Sequence, residues 1–148
     1  MKKKILSLLC AALLILSLPG VACAADVTPR ASDYFSCTGV RAYAESGGNI
    51  LIEIDVTATH TMLEVGAAEV YIYEQQSDGD YEVVYTYTKE AYPHLTWSNC
   101  ASACIDVNHQ GTIGKNYFAT VACYARDSDG AERRYYDTNV VTAVQIEP

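Results

Sequence analysis

Between Asn49 and Thr59 the chain alternates between apolar and polar residues. The even positions read Ile50, Ile52, Ile54, Val56 and Ala58; the odd ones are mostly polar (Glu53, Asp55, Thr57, Thr59), with Leu51 the exception. Successive side chains of an extended strand point to opposite sides, so this pattern predicts a strand with one buried face. The same period recurs on either side. Ser36–Glu45 places Val40, Ala42 and Ala44 inward, and Ser46-Gly47-Gly48 turns the chain. Ala67–Gln75 offers Val70 and Ile72 to one face and Tyr71 and Tyr73 to the other. Ser77-Asp78-Gly79 is hairpin chemistry, with Tyr81–Thr88 as the second strand. Ala101, Ala103, Ile105 and Val107 predict a strand over 100–108. Asn116–Arg126 is another, and Ser128-Asp129-Gly130 closes a hairpin into a last strand over Glu132–Ile146. Only Thr61–Ala68 departs from the period: Met62 and Val65 could face inward from a single helical turn. Seven short strands and no long helical period predict an all-β sandwich.

The segment from Gly114 to Cys123 sharpens that expectation. A glycine turn enters a strand whose inward positions are Tyr117, Ala119, Val121 and Cys123. It resembles strand F of immunoglobulin-like and fibronectin type III domains, where a tyrosine near the strand start hydrogen-bonds back to the preceding corner. The fold class expected is therefore an immunoglobulin-like or fibronectin type III-like β-sandwich of about seven antiparallel strands, with Tyr117 in a structural role.

The N-terminus follows a different pattern. Lys2, Lys3 and Lys4 precede an apolar run from Ile5 to Leu18, Pro19-Gly20 breaks it, and Ala22-Cys23-Ala24 offers small residues for cleavage. This is the order of a secretory signal peptide over residues 1–24. The run is too short to span a bilayer, which takes ~20 residues. A lipid-modified Cys23 is the rival reading, disfavoured by Gly20 three residues before it. The organisation expected is a cleaved signal (1–24), a short extension (25–35) and one domain (36–148). The product is secreted and extracellular, with no membrane anchor after cleavage.

Charge narrows the partners. After residue 24 the chain carries 7 basic and 18 acidic residues, a net charge of −11. Nucleic acid is excluded as a partner, because phosphate binding needs a basic surface. Cys37, Cys100, Cys104 and Cys123 remain, an even number in an oxidising compartment, so at least one disulfide is expected. Cys100 and Cys104 in one regular strand stand ~13 Å apart, beyond the ~7 Å limit of a disulfide, so long-range pairing is expected.

No catalytic or metal constellation emerges. His60, His94 and His109 form no H-x-x-x-H pair and join no nucleophile motif. Asp78-Gly79-Asp80 and Asp127-x-Asp129-Gly130 lack the full calcium-loop pattern and read as turns. No cofactor and no metal are expected. The distinctive residue is tyrosine, present twelve times against one tryptophan. Tyr71, Tyr73, Tyr85 and Tyr87 alternate on two strands joined by a hairpin and make an aromatic platform if they share the outward face. The irregular stretch Lys89–Asn99 adds Tyr92 and Trp97, and recognition residues commonly sit on such loops.

Several stretches in order resemble an uncharacterised family of small secreted proteins of Gram-positive, clostridia-type bacteria. They are Arg30-Ala31-Ser32-Asp33-Tyr34-Phe35, Ser46-Gly47-Gly48, Asp55-Val56-Thr57-Ala58-Thr59, Met62 with Gly66-Ala67, and Thr138-Asn139-Val140-Val141-Thr142-Ala143. The resemblance implies no catalytic residues, and the four cysteines lie outside it. The function expected is a secreted, non-enzymatic module binding an unknown extracellular ligand: a glycan, a protein or a wall component. A structural envelope protein, or a small enzyme or inhibitor, are the alternatives.

Overall fold

The computed structural model describes residues 32–145. The signal segment, residues 25–31 of the extension and the end of the last expected strand at Ile146 lie outside the described residues.

The fold is all-β and sandwich-type. Its strands are β1 (Phe35–Ala44), β2 (Asn49–Gln75), β3 (Tyr81–Thr88), β4 (Thr96–Gln110), β5 (Asn116–Arg126), β6 (Ala131–Asp137) and β7 (Val141–Thr142). Every pairing is antiparallel. β2 is 27 residues long and serves both layers. Its first half lies between β1 and β4, Glu64–Gly66 lies between β4 and β5, and from Glu69 it lies between β3 and β5; β6 and the short β7 continue beyond β5. The result is a three-stranded sheet, β1-β2-β4, and a four-stranded sheet, β3-β2-β5-β6. Their inner faces share one core. Ile50, Ile52, Ile54 and Val56 meet Val70, Ile72, Ile105, Val107, Ala119 and Val121, each no more than 3% exposed. Among the described residues no helix is long and apolar enough to cross a membrane.

One strand can serve two sheets only if it bends, and β2 bends where its parity changes. The ladder to β4 shifts between Thr57 and Met62, and the ladder to β5 shifts between Ala67 and Glu69. The inward set Ala58, Met62, Val65, Ala67, Val70 keeps its parity across the first shift, changes it between Met62 and Val65, where the ladder to β4 stays in register, and changes it again across the second shift. Met62 and Val65 are therefore both buried at a spacing of three. That spacing imitates a helical turn, and the expected turn over Thr61–Ala68 is replaced by continuous strand. Gly66 sits at the bend with φ +149°. A Cβ added there would lie 2.2 Å from the Leu95 carbonyl oxygen, so only glycine fits.

The strand ends differ from expectation for local reasons. β4 starts at Thr96 rather than near residue 100, because the fully buried Leu95 anchors the chain beside β2. Val40 and Ala44 are only half-buried; of the three β1 positions expected inward, Ala42 alone is fully buried. The last expected strand breaks in two. Thr138 exchanges bonds with Ala119: its N–H donates to the Ala119 carbonyl at 2.8 Å, and its hydroxyl oxygen accepts the Ala119 N–H at 2.9 Å. Asn139 then crosses to β1, so β6 ends at Asp137.

Tyr117 closes the corner before β5. It is 1% exposed; its hydroxyl accepts the Thr112 N–H at 2.8 Å and donates to the Glu74 carboxylate. Burial, and then the Glu74 bond, push its phenol above the ordinary value.

All four described cysteines are free, which corrects the disulfide expectation. Cys37 stands opposite Thr57 on β2, and Cys104 opposite Asp55 on the other side of β2. Two strand spacings separate them by about 10 Å, beyond the disulfide range. Cys123 is fully buried within the core, and Cys100, opposite Met62, packs at the margin of that core cluster. Oxidising surroundings favour a disulfide only where geometry brings two sulfurs together.

Candidate ligand-binding face

The outer face of the four-stranded sheet follows from its register. Tyr71 stands beside Thr86 and Thr120, Tyr73 beside Val83 and Phe118, and Gln75 beside Tyr81. Tyr135 pairs with Ala122, and Arg133 with Tyr124. Cross-strand partners share a face, so this side carries Tyr71, Tyr73, Tyr81, Phe118, Tyr124 and Tyr135. Tyr73 and Phe118 stack at 4.5 Å with ring planes 2° apart, and Tyr81 meets Phe118 edge-on at 5.0 Å. Two rings lying flat side by side cannot bring their centroids that close. The stacked pair therefore stands upright on the sheet and presents ring edges to solvent.

Charged groups finish the other end of the face. The Lys89 ammonium lies 4.1 Å from the centre of the Tyr124 ring, and the Arg133 guanidinium 5.8 Å. Glu64 gathers Lys89 at 2.9 Å, Arg126 at 3.4 Å and the Thr96 hydroxyl at 2.9 Å. Burial raises the Glu64 carboxyl, but the bonds from Lys89 and Thr96 outweigh it and hold the group below its ordinary range. Glu69 accepts the Tyr71 hydroxyl at 2.9 Å and pairs with Arg133 at 3.4 Å. Tyr71 is raised by that bond to Glu69 and then by burial.

Tyr85 and Tyr87 are not part of this face. The ladder between β2 and β3 shifts between Ile72 and Tyr73, leaving Val84 as an extra residue. Without it, Tyr85 would stand opposite Tyr71. With it, Tyr85 stands opposite Ile72 and Tyr87 opposite Val70, on the inner side. There they meet Tyr92 and His109. Tyr85 and Tyr92 share a bond between hydroxyls at 2.7 Å, and Tyr87 donates to the Asn108 carbonyl at 3.0 Å. Ring centroids lie 4.6 Å (Tyr85–Tyr87) and 5.0 Å (Tyr87–Tyr92) apart. The rings touch one another, leaving no room for a ligand between them. Burial lowers His109 and raises Tyr87. Tyr92 lies in this packed group; Trp97 is 48% exposed opposite Val65 and joins no ring pair among the described residues.

Of the six residues expected to bind, Tyr71 and Tyr73 are brought together on the outer face and Tyr85, Tyr87 and Tyr92 on the inner side. Sequence reasoning missed Tyr81, Phe118 and Tyr135. Their signal was present: Phe118 and Tyr135 occupy the outward parity of β5 and β6.

An open hollow of about 250 Å³ lies beside His60, Asn99 and Asp127. His60 Nε2 stands 3.2 Å from Asp127 Oδ2. The other Asp127 oxygen accepts the N–H groups of Asp129 (2.8 Å) and Gly130 (3.0 Å). These bonds, the one from Asp129 foremost, hold Asp127 below the usual carboxylate range. The Ser128 hydroxyl bonds to Asp129 rather than His60, so the three residues do not form a nucleophilic relay. Among the described residues no group of three or more His, Cys, Asp or Glu side chains is placed to hold a metal ion.

No protein-family model matches the chain, and no curated protein matches it.

Proposed function

We propose that this chain is a secreted, non-enzymatic binding module that engages a protein partner through the outer face of its four-stranded sheet. The observation carrying the reading is the upright ridge of Tyr73, Phe118 and Tyr81, continued by Tyr71 and Tyr135 and flanked by Arg133 and Arg126. Tyrosine and arginine are the residues enriched at protein-interface hot spots. A glycan platform needs ring faces turned outward to stack on sugars; the stacked pair turns its edges outward and uses its faces internally. Export rests on the Lys2–Lys4, Ile5–Leu18 and Ala22-Cys23-Ala24 order.

The test uses the secreted protein and a Tyr73→Ser/Phe118→Ser variant. Candidate extracellular proteins are retained by the wild type and released at least tenfold more readily by the variant, while both stay folded by circular dichroism. Equal retention by both, or specific retention of a glycan by the wild type on an array, overturns the reading. Intact mass of the secreted form checks export: the expected product starts at Ala25, and a lipid adduct on Cys23 or an uncleaved N-terminus refutes that part.

A further inference from the structure

Among the described residues five strands end a sheet; β7 is two residues long, and of the other four edges three are guarded. On β1, Asn139 occupies the edge: its side-chain oxygen accepts the Ala42 N–H at 3.0 Å and its amide donates to the Ala42 carbonyl at 2.9 Å. β3 is eight residues long and interrupted by the Val84 bulge. β6 is seven residues long and carries Glu132, Arg133 and Arg134 in succession. Short strands, bulges, plugs and charges are the devices by which sheets avoid pairing with another chain.

β4 lacks them. It is 15 residues long, contains no Lys, Arg or Pro, and carries Asp106 as its one carboxylate. Among the described residues its ladder runs along β2 alone, in unbroken register from Ser102 to Gln110. The Tyr87 hydroxyl covers the Asn108 carbonyl, which leaves Ser102–Val107 as the open segment. Ser102 and Cys104 are exposed on its outer face, so small side chains flank the free backbone.

We propose that this edge pairs antiparallel with β4 of a second copy of the chain, joining two three-stranded sheets into one continuous sheet. An antiparallel edge is self-complementary under a two-fold axis, so the contact is isologous and closed. Charge favours the same arrangement. After residue 24 the chain carries a net charge of −11, which opposes approach of two copies over most surfaces. With the axis at Ala103, Ser102 faces the second copy's Cys104 and Asp106 faces its uncharged Cys100. The two Asp106 side chains then stand about 20 Å apart along the strands, from the rise per residue, beyond the screening length at physiological salt.

Sedimentation equilibrium of the secreted protein over a concentration series tests the contact. The wild type shifts from monomer to dimer. Ser102→Lys/Cys104→Lys raises the dissociation constant at least tenfold, because lysines on the two copies then face one another. Thr57→Lys adds a lysine to the same outer face on the central strand, and leaves the dimer unchanged. A wild type monomeric throughout, or a double variant that dimerises as the wild type does, overturns the proposal. Because the double variant could unfold, Ser102→Cys supplies a second readout. Under oxidised glutathione, the introduced thiol of one copy and Cys104 of the other fall within disulfide range as cross-strand neighbours. A reducible covalent dimer absent from the parent is expected; its absence overturns the proposal.

Discussion

Replacing Tyr117 by phenylalanine removes one oxygen and keeps the ring. The ring is 1% exposed and stays packed, so the change isolates the hydroxyl. That oxygen accepts the Thr112 N–H at 2.8 Å and donates to Glu74. A partly buried N–H left unpaired costs about 1–3 kcal/mol. The loss at Glu74 is smaller, because this carboxylate is 18% exposed and keeps Lys115 at 3.6 Å. The sum is about 2 kcal/mol of stability, or ~6–12 °C in melting temperature for a domain of this size. Thermal unfolding followed by circular dichroism measures it, with Tyr135→Phe as the control: Tyr135 is 58% exposed and its loss of a hydroxyl leaves the melting temperature unchanged. A second readout is alkaline. The raised phenol of Tyr117 contributes stability that is present below the unfolded value of ~10 and is lost as pH rises through the folded value. The variant lacks that component. A drop of under ~2 °C, on the same scale, refutes the corner.

Three further outcomes follow from the same geometry. Gly66→Ala destabilises by about 3 kcal/mol or more, because the new Cβ meets the Leu95 carbonyl at 2.2 Å in a left-handed conformation; chemical denaturation measures it, and an unchanged midpoint refutes the bend. Asp127 is held below its ordinary value, so its contribution is present above the unfolded value of ~3.9 and is lost as pH falls through the folded one; Asp127→Asn therefore flattens the acid limb of the stability profile below about pH 4, and an unaltered limb contradicts this. In native protein, a thiol reagent labels Cys37 and Cys104 first, and Cys104 keeps accelerating above pH 9 because its bond to Asp55 raises it. Cys123, buried and pushed up to about 12, reacts only on unfolding; peptide mapping after timed labelling reads the order, and early labelling of Cys123 refutes its burial.

Alternation was legible wherever the strands run straight. Ile50 to Ala58 was assigned to one face from the sequence, and all five positions are at most 5% exposed. The turns at Ser46–Gly48, Ser77–Gly79 and Ser128–Gly130 also lie between the strands they were read to separate. Legibility fails where an inserted residue changes the frame. The parity changes between Met62 and Val65 and between Ala67 and Val70 make a strand look like a helical turn. A sequence period carries no mark of which residue is extra, because a bulge is fixed by how two strands meet. The cysteines are opaque for a related reason: compartment and even number say nothing of which side of β2 each sulfur occupies.

The Val84 bulge carries this point into function. Counting tyrosines at alternate positions treats Tyr71, Tyr73, Tyr85 and Tyr87 as equivalent. One extra residue in β3 divides them, and the two groups then face different physical problems. On the inner side, β3 and β4 end different sheets, and the opening between them must be closed. Large flat rings with polar tips can close it. Tyr87 packs against the core and places its hydroxyl on a β4 carbonyl, while Tyr85 and Tyr92 satisfy each other. On the outer side no second layer among the described residues covers Tyr71, Tyr73, Tyr81 and Phe118, so the rings pack on one another and leave their edges in water. Aromatic surface consumed in closing the sandwich, as on Tyr87 and Tyr92, is lost to recognition, although Tyr85 keeps 42% of its surface exposed; surface left standing on a rigid sheet is pre-organised for it, because a partner meets rings already held by their neighbours. The division, rather than the number of tyrosines, singles out the outer face.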